Sequence, residues 1–332
     1  VPGKKSCAEW VDDGKAARAK GDLVNAIACF KEATRLDPYS AKAWGNKGFV
    51  LAQRGDLEEG AIAFARAIDC DETLKWKLSG PRSQVLVELG RGDEAITWLD
   101  QLLSENPRDP GVLTAMAQVQ FGLGYLEPAS GFVDRGLREA PESSLLWTLR
   151  GSITGSTQGP QASLEFLLRA IELDGTNIPA LGNCGIALAD LERYDESLEC
   201  FDRIVALDPR DPVVWANRAR TLIGLERHAD AVESCDEALK LHPDKALAWI
   251  VKAAALVNLG EPEEALACCD KGIELDPTQA NALLIRSAAL RHLGRTDEAD
   301  KDFATATAVH VDLLDGQDGN LVRVRFGPAS DR

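Results

Sequence analysis

The stretch AWGNKGFVLAQRGDLEEGAIAFARAID, Ala43 to Asp69, recurs along the chain at an offset of 34 residues. The Ala43-Trp44 pair returns as Val214-Trp215 and Ala248-Trp249. The run IACFKEATRLDP, Ile27 to Pro38, returns as LECFDRIVALDP, Leu198 to Pro209, and as LACCDKGIELDP, Leu266 to Pro277. A fixed period of this size means one supersecondary unit, stacked many times. It constrains the fold more than any bulk property does.

Nine repeats fit the chain: 7–40, 41–74, 76–109, 110–143, 144–177, 178–211, 212–245, 246–279 and 280–313. Lys75 is an extra residue, 1–6 is an N-terminal extension, and 314–332 is a non-repeat tail. Position 8 of the repeat is small throughout, as in Gly14, Gly48, Ser83, Ala117 and Gly185. Position 20 is also small, as in Ala26, Gly60, Ala95 and Ser197. Position 24 is apolar, from Phe30 and Phe64 to Cys269 and Phe303. Position 4 is Trp or Leu except at Ser79.

Positions 4, 8 and 11 share a stripe of one helix, and 20, 24 and 27 a stripe of a second. Small residues at 8 and 20 permit close approach, and large ones at 4 and 24 fill the adjoining space. The turn between them is Gly55-Asp56 in repeat 2, with Asp56 read as an N-cap and Glu59 three residues on. Six repeats carry Pro at position 32, among them Pro38, Pro209 and Pro277, which ends the second helix.

This W…G…A…F…A…P pattern resembles the tetratricopeptide repeat family, and the resemblance covers 7–313. It implies an all-α fold, a right-handed solenoid of helix-turn-helix units. First helices would line a concave groove, and a peptide or helical segment of a partner protein would bind there. The chain then reads as an interaction adaptor or scaffold and not as an enzyme. Two alternatives are a scaffold that self-assembles through open terminal repeats, and the substrate-binding array of a larger enzyme such as a glycosyltransferase.

The resemblance puts the groove at repeat positions 2, 5, 6, 9, 12 and 13. Position 6 is Asn46, Asn183 and Asn217 in three repeats. This is similar to the asparagine ladder of O-linked N-acetylglucosamine transferases, where side-chain amides hold a peptide backbone. An amide suits that task because it donates and accepts. Lys42 and Arg220 are expected on the same face. An apolar strip is expected in repeats 7 to 9: Val213, Ile223, Leu247, Ile250, Val251, Val257, Leu284 and Ile285. The family's carboxylate clamp is not supported, because only Asn46 and Lys77 match it.

Two repeats break the pattern. Gly80-Pro81 in repeat 3 predicts an irregular 72–80, with the helix starting near Pro81. GSITGSTQGP, Gly151 to Pro160, predicts a shortened first helix and a mobile loop at 154–160. In the tail, LVRVRF (Leu321 to Phe326) alternates like an edge strand and could occupy the apolar strip.

No cofactor or metal is expected. The four His, His228, His242, His292 and His310, have no metal-ligand spacing, and no Cys-x-x-Cys occurs. The net charge of −16, without a basic run, argues against nucleic acid. No long apolar run predicts membrane insertion, so a cytoplasmic location is expected. Cys29, Cys200 and Cys268 share position 23, Cys235 and Cys269 share position 24, and all read as packing residues. Trp10, Trp44, Trp147, Trp215 and Trp249 share position 4 and read as core. The chain lacks a starting Met, its one methionine being Met116, and is expected to be a processed product or a piece of a longer protein.

Overall fold

The computed structural model describes residues 5–313, with side chains to 307. The expected edge strand at Leu321 to Phe326 lies outside the described residues. Among those described, all regular structure is helical. The chain divides into two compact units, 1–157 and 158–332.

The N-terminal unit holds α1 (Cys7–Ala19), α2 (Leu23–Leu36), α3 (Ala41–Arg54), α4 (Leu57–Cys70), α5 (Leu74–Lys77), α6 (Ser79–Glu88), α7 (Gly92–Glu105), α8 (Pro110–Gly122), α9 (Leu126–Glu139) and α10 (Ser144–Gln158). The C-terminal unit holds α11 (Pro160–Leu173), α12 (Ile178–Asp190), α13 (Tyr194–Leu207), α14 (Pro212–Gly224), α15 (His228–Leu241), α16 (Ala246–Leu259), α17 (Pro262–Leu275), α18 (Ala280–His292) and α19 (Thr296–Leu313).

Polar caps start several first helices. Ser6 forms a capping box with Glu9, and Asp109, Asn177 and Asp211 accept from backbone N–H groups one turn in. The corner before the second helix is left-handed: Gly55 has φ +92° and Gly260 has φ +81°. The expectation for Asp56 is half met. It occupies the N-cap position, but its side chain makes no cap bond and pairs with Arg54 instead.

The core works by exchange of size between facing positions. Residues at 24 lie on position 8 of the same helix pair. A Cβ built on Gly14, Gly48 or Gly185 would meet the ring of Phe30, Phe64 or Phe201 at 2.7, 2.7 and 2.9 Å. Positions 5 and 27 also face each other, small against small in one repeat and small against large in two. Gly45 faces Ala67, Gly182 faces Ile204, and at Gly272 the roles reverse, with Ile250 2.8 Å from where a Cβ would stand. These contacts fill the interior to close packing.

The position-4 tryptophans are half-buried rather than core. Each of Trp44, Trp147, Trp215 and Trp249 donates its indole N–H to the carbonyl of Pro38, Pro141, Pro209 or Pro243, at 2.8 Å in every case. The Trp therefore ties the start of one repeat to the end of the one before. That polar handle is why an indole serves there.

Both expected breaks fold differently. Residues 74–77 form the short α5, and α6 starts at Ser79, two residues before Pro81. Pro81 still lies in the first turn, where it costs no helical hydrogen bond. The inserted Lys75 bonds Glu72 at 2.9 Å and Glu105 at 2.6 Å, tying α5 to the end of α7. The mobile loop expected at 154–160 is absent. Helix α10 continues to Gln158, and Gly159, at φ +90°, alone separates it from Pro160. Packing overrides the weak propensity, since Leu149, Ile153 and Thr154 are buried. Ser152, Ser156 and Thr157 also direct their hydroxyls to carbonyls one turn back.

Candidate functional site

The N-terminal unit carries a groove with a cavity volume of about 770 Å³. Its lining comes from the first helices of repeats 2 to 5: α3 gives Phe49, Ala52 and Gln53, α6 gives Gly80, Pro81, Gln84 and Glu88, α8 gives Thr114 and Gln118, and α10 gives Leu145. Lys77 and Trp76 of α5 complete one side. These are mostly the repeat positions that the resemblance assigned to a concave face.

The space opens where repeat 3 departs from the pattern. Ser79 replaces the usual Trp or Leu and is itself buried. Gly80 adds no side chain, and nothing lies within 4 Å of its Cβ direction. The floor is apolar: Phe49, Trp76, Pro81 and Leu145 give its surface, and buried Phe64, edge to face with Phe49 at 5.1 Å, and Val85 lie behind it. The rim is polar. Gln53, Gln84 and Gln118 are exposed, and Gln84 donates to Glu88 at 3.1 Å. The Arg18 guanidinium stands 5.5 Å from the Phe49 ring centroid, at the groove's edge. An apolar trough with an amide rim can take side chains below and a peptide backbone above.

The residues expected from sequence are distributed otherwise. Asn46 and Lys42 belong to α3, on the same stripe as Phe49 and Gln53. The Asn46 amide donates to the Lys42 carbonyl at 2.8 Å. Asn183 and Asn217 are half-buried on α12 and α14 of the C-terminal unit, so the structure does not set the three asparagines in one described unit. Arg220 and Leu284 are half-buried on α14 and α18. Ile250 and Val251 are 1% and 0% exposed and offer a ligand no surface. Ile250 is drawn inward by the bare backbone of Gly272. Ile223, Val257 and Ile285 are buried too, which leaves Val213, Leu247 and Leu284 of the expected strip.

Sequence reasoning missed Phe49, Gln84, Gln118 and Leu145. The available signal was Ser79-Gly80-Pro81, small residues where the pattern wants bulk. A ladder of ion pairs was missed as well. A cation at position 7 meets an Asp sixteen residues earlier: Arg150–Asp134 at 2.6 Å, Arg218–Asp202 at 2.7 Å, Lys252–Asp236 at 2.6 Å and Arg286–Asp270 at 2.8 Å. Each pair joins the second helix of one repeat to the first helix of the next.

The thiols fit a packing role. Burial pushes Cys235 and Cys269 well up, and the Cys184 thiol is raised by its hydrogen bond to Cys200 and by burial. Among the described residues no group of His, Cys, Asp or Glu could hold a metal ion. No helix among them is long and apolar enough to cross a membrane.

This architecture of stacked helix pairs defines an α-helical repeat protein of the interaction and scaffold class. The chain belongs to the tetratricopeptide repeat family: family models of that description match residues 11–74 and 183–246, and 86–153 and 222–288. The protein called Essential for maintenance of the cell wall protein 1, from Saccharomyces cerevisiae, is 30% identical over 95 residues, 29% of this chain and 10% of that protein. The chain thus spans about a tenth of that curated relative. Among solved structures, the APC/C hetero-tetramer Cut9–Hcn1 is similar with a TM-score of 0.64 at 14% identity, over 81% of this chain and 52% of that one. That likeness shows the fold alone. YrrB, described as a TPR protein with an unusual peptide-binding site, aligns at 20% identity with a TM-score of 0.43, over 55% of this chain and 94% of that one.

Proposed function

We propose that this chain is a protein-interaction module that holds an extended segment of a partner protein in the groove of its N-terminal unit. One observation carries the reading: an apolar floor at Phe49, Trp76, Pro81 and Leu145 lies under exposed amides at Gln53, Gln84 and Gln118. Apolar side chains of the segment enter the trough, and the amides pair with its backbone. Asn46 and Lys42 extend the contact along α3. In the C-terminal unit, Asn183, Asn217, Arg220 and Leu284 are the proposed contacts. The buried thiols suit a reducing, cytoplasmic setting.

The test fills the groove. Gly80→Trp places a side chain in open space, because nothing lies within 4 Å of its Cβ direction. Peptides of about twelve residues, long enough extended to span some 40 Å, are selected from a random displayed library on the full chain. The expected outcome is loss of their binding to Gly80→Trp, retained binding to Gly80→Ala, and matching melting curves for these two variants, which share the new Cβ before Pro81. Selected peptides that bind the filled variant equally well would sink the groove reading.

A further inference from the structure

The chain carries a net charge of −16, yet the first-helix face of its N-terminal unit is basic. At the six groove positions of repeats 1 to 5 the titratable residues are Lys15, Arg18, Lys42 and Lys77 against Asp12 and Glu88. Asp12 is engaged with Lys15 at 3.7 Å. Glu88 accepts from a neutral amide, Gln84. Arg18 lies over the Phe49 ring at the groove's edge, and Lys77 lines the groove itself. Lys42 and Lys77 are exposed, and among the described residues no carboxylate pairs with either.

We infer that the occupant of this face is an acidic segment of another protein, bearing at least one large apolar side chain that enters the space above Gly80 and Pro81. The inference rests on the proposed groove and adds the chemistry of what fills it. At physiological salt, charges beyond about 8 Å are largely screened, so the contact face and not the net charge decides the sign of the partner. A basic segment would set its cations against Lys42, Lys77 and Arg18 with only Glu88 to offset them. An acidic one pairs with exposed ammonium groups that no described carboxylate engages. The apolar requirement comes from the floor: a polar chain alone would leave Phe49 and Trp76 half wet above a trough of about 770 Å³.

The experiment takes the same displayed library on the full chain and reads the charge of the selected peptides. They are expected to carry more Asp and Glu than Lys and Arg, with at least one aromatic or large aliphatic residue. A synthetic copy of one of them should bind about tenfold more weakly when NaCl is raised from about 50 to about 300 mM. It should also bind the double variant Lys42→Glu, Lys77→Glu about tenfold or more weakly, with like charges now facing. Both substituted positions are exposed, so the variant should melt as the parent does. Neutral or basic peptides that are lost on Gly80→Trp would overturn the acidic partner and leave the groove reading standing. Peptides of any charge that bind Gly80→Trp unchanged, or no selected peptide at all, would overturn both.

Discussion

Gly80 of the N-terminal unit and Gly185 of the C-terminal unit both sit within the first helix of a repeat, and their surroundings are opposite. A Cβ at Gly80 would meet nothing within 4 Å, whereas one at Gly185 would meet the Phe201 ring at 2.9 Å. Gly80 holds position 5 of its repeat and Gly185 position 8, so one 34-residue pattern gives an open trough at one position and a filled helix contact at the other, the latter in both units. The open case arises where the pattern fails, at Ser79-Gly80-Pro81. The filled case arises where each small residue is matched by a large one. A repeat array can therefore make a site by omitting bulk from one repeat while its neighbours stay packed. Stability follows nearest-neighbour contacts, so such an omission costs only locally.

The harshest test of this contrast uses a buried charge. Ile250→Asp places an unpaired carboxylate at a position 1% exposed and should cost the C-terminal unit about 4 kcal/mol. Leu145→Asp, on the groove side of the N-terminal unit and 40% exposed, should change stability by about 0.5 kcal/mol or less. Urea unfolding followed by circular dichroism measures both. An unchanged midpoint for Ile250→Asp would return Ile250 to the surface and restore the apolar strip.

The glycines give the next largest effect. Gly185→Leu should cost about 1–3 kcal/mol by overpacking against Phe201. Gly80→Leu should stay within about 1 kcal/mol of the parent, because its gain in helix propensity is offset by crowding of the new Cβ against the Pro81 ring. Equal losses in the two variants would mean that the groove is not open at Gly80.

Most of the helix pairing was legible in the sequence, because small and apolar columns at fixed spacing admit few other packings. The small columns at 8 and 20 and the apolar column at 24 could be read before any coordinates, whereas the direct seat of the position-24 ring on position 8 is a finding of the structure. Two local expectations failed for one physical reason. Propensity was set against packing at Gly155 and again around Gly80-Pro81, and packing won in both places. The groove was less legible than the fold. Asparagine at position 6 drew attention because amides are informative residues, whereas the trough at Gly80 is made by missing atoms. The apolar strip misled because an isoleucine such as Ile250 reads the same whether it faces solvent or a glycine across the helix pair. Only its partner column, with Gly272 at position 27, separates the two cases.

A smaller effect concerns the tryptophans. Trp215→Phe keeps the ring and removes the 2.8 Å bond to the Pro209 carbonyl, at a cost of about 1 kcal/mol. Trp76→Phe in the groove should cost less, because among the described residues no acceptor meets its indole N–H. Thermal melts of the two variants compare them directly. A larger loss at Trp76 would give that ring a structural role beyond lining the groove.

The ion-pair ladder offers the finest comparison. At Arg218, Lys252 and Arg286 of the C-terminal unit, a position-7 cation meets an Asp sixteen residues earlier. Lys47 holds the same position in the N-terminal unit, and the residue sixteen earlier is Lys31. Burial, then repulsion from Lys31, lowers the Lys47 pKa from its ordinary 10.5. A lysine with a depressed folded pKa weakens the folded state while it is charged. That penalty is present at neutral pH and fades as pH rises through the depressed value toward 10.5. Lys31→Asp should supply the missing rung. Lys47 is only partly buried and solvent screens the pair, so the gain at pH 7 should be about 0.5 kcal/mol. It should shrink in high salt and shrink again at a pH high enough to strip Lys47 of its charge. Melting curves at neutral and high pH, each at low and high salt, read all three. A variant no more stable than the parent at pH 7 and low salt would mean that the ladder contributes nothing at this rung, and that Lys31 lies too far from Lys47 to matter.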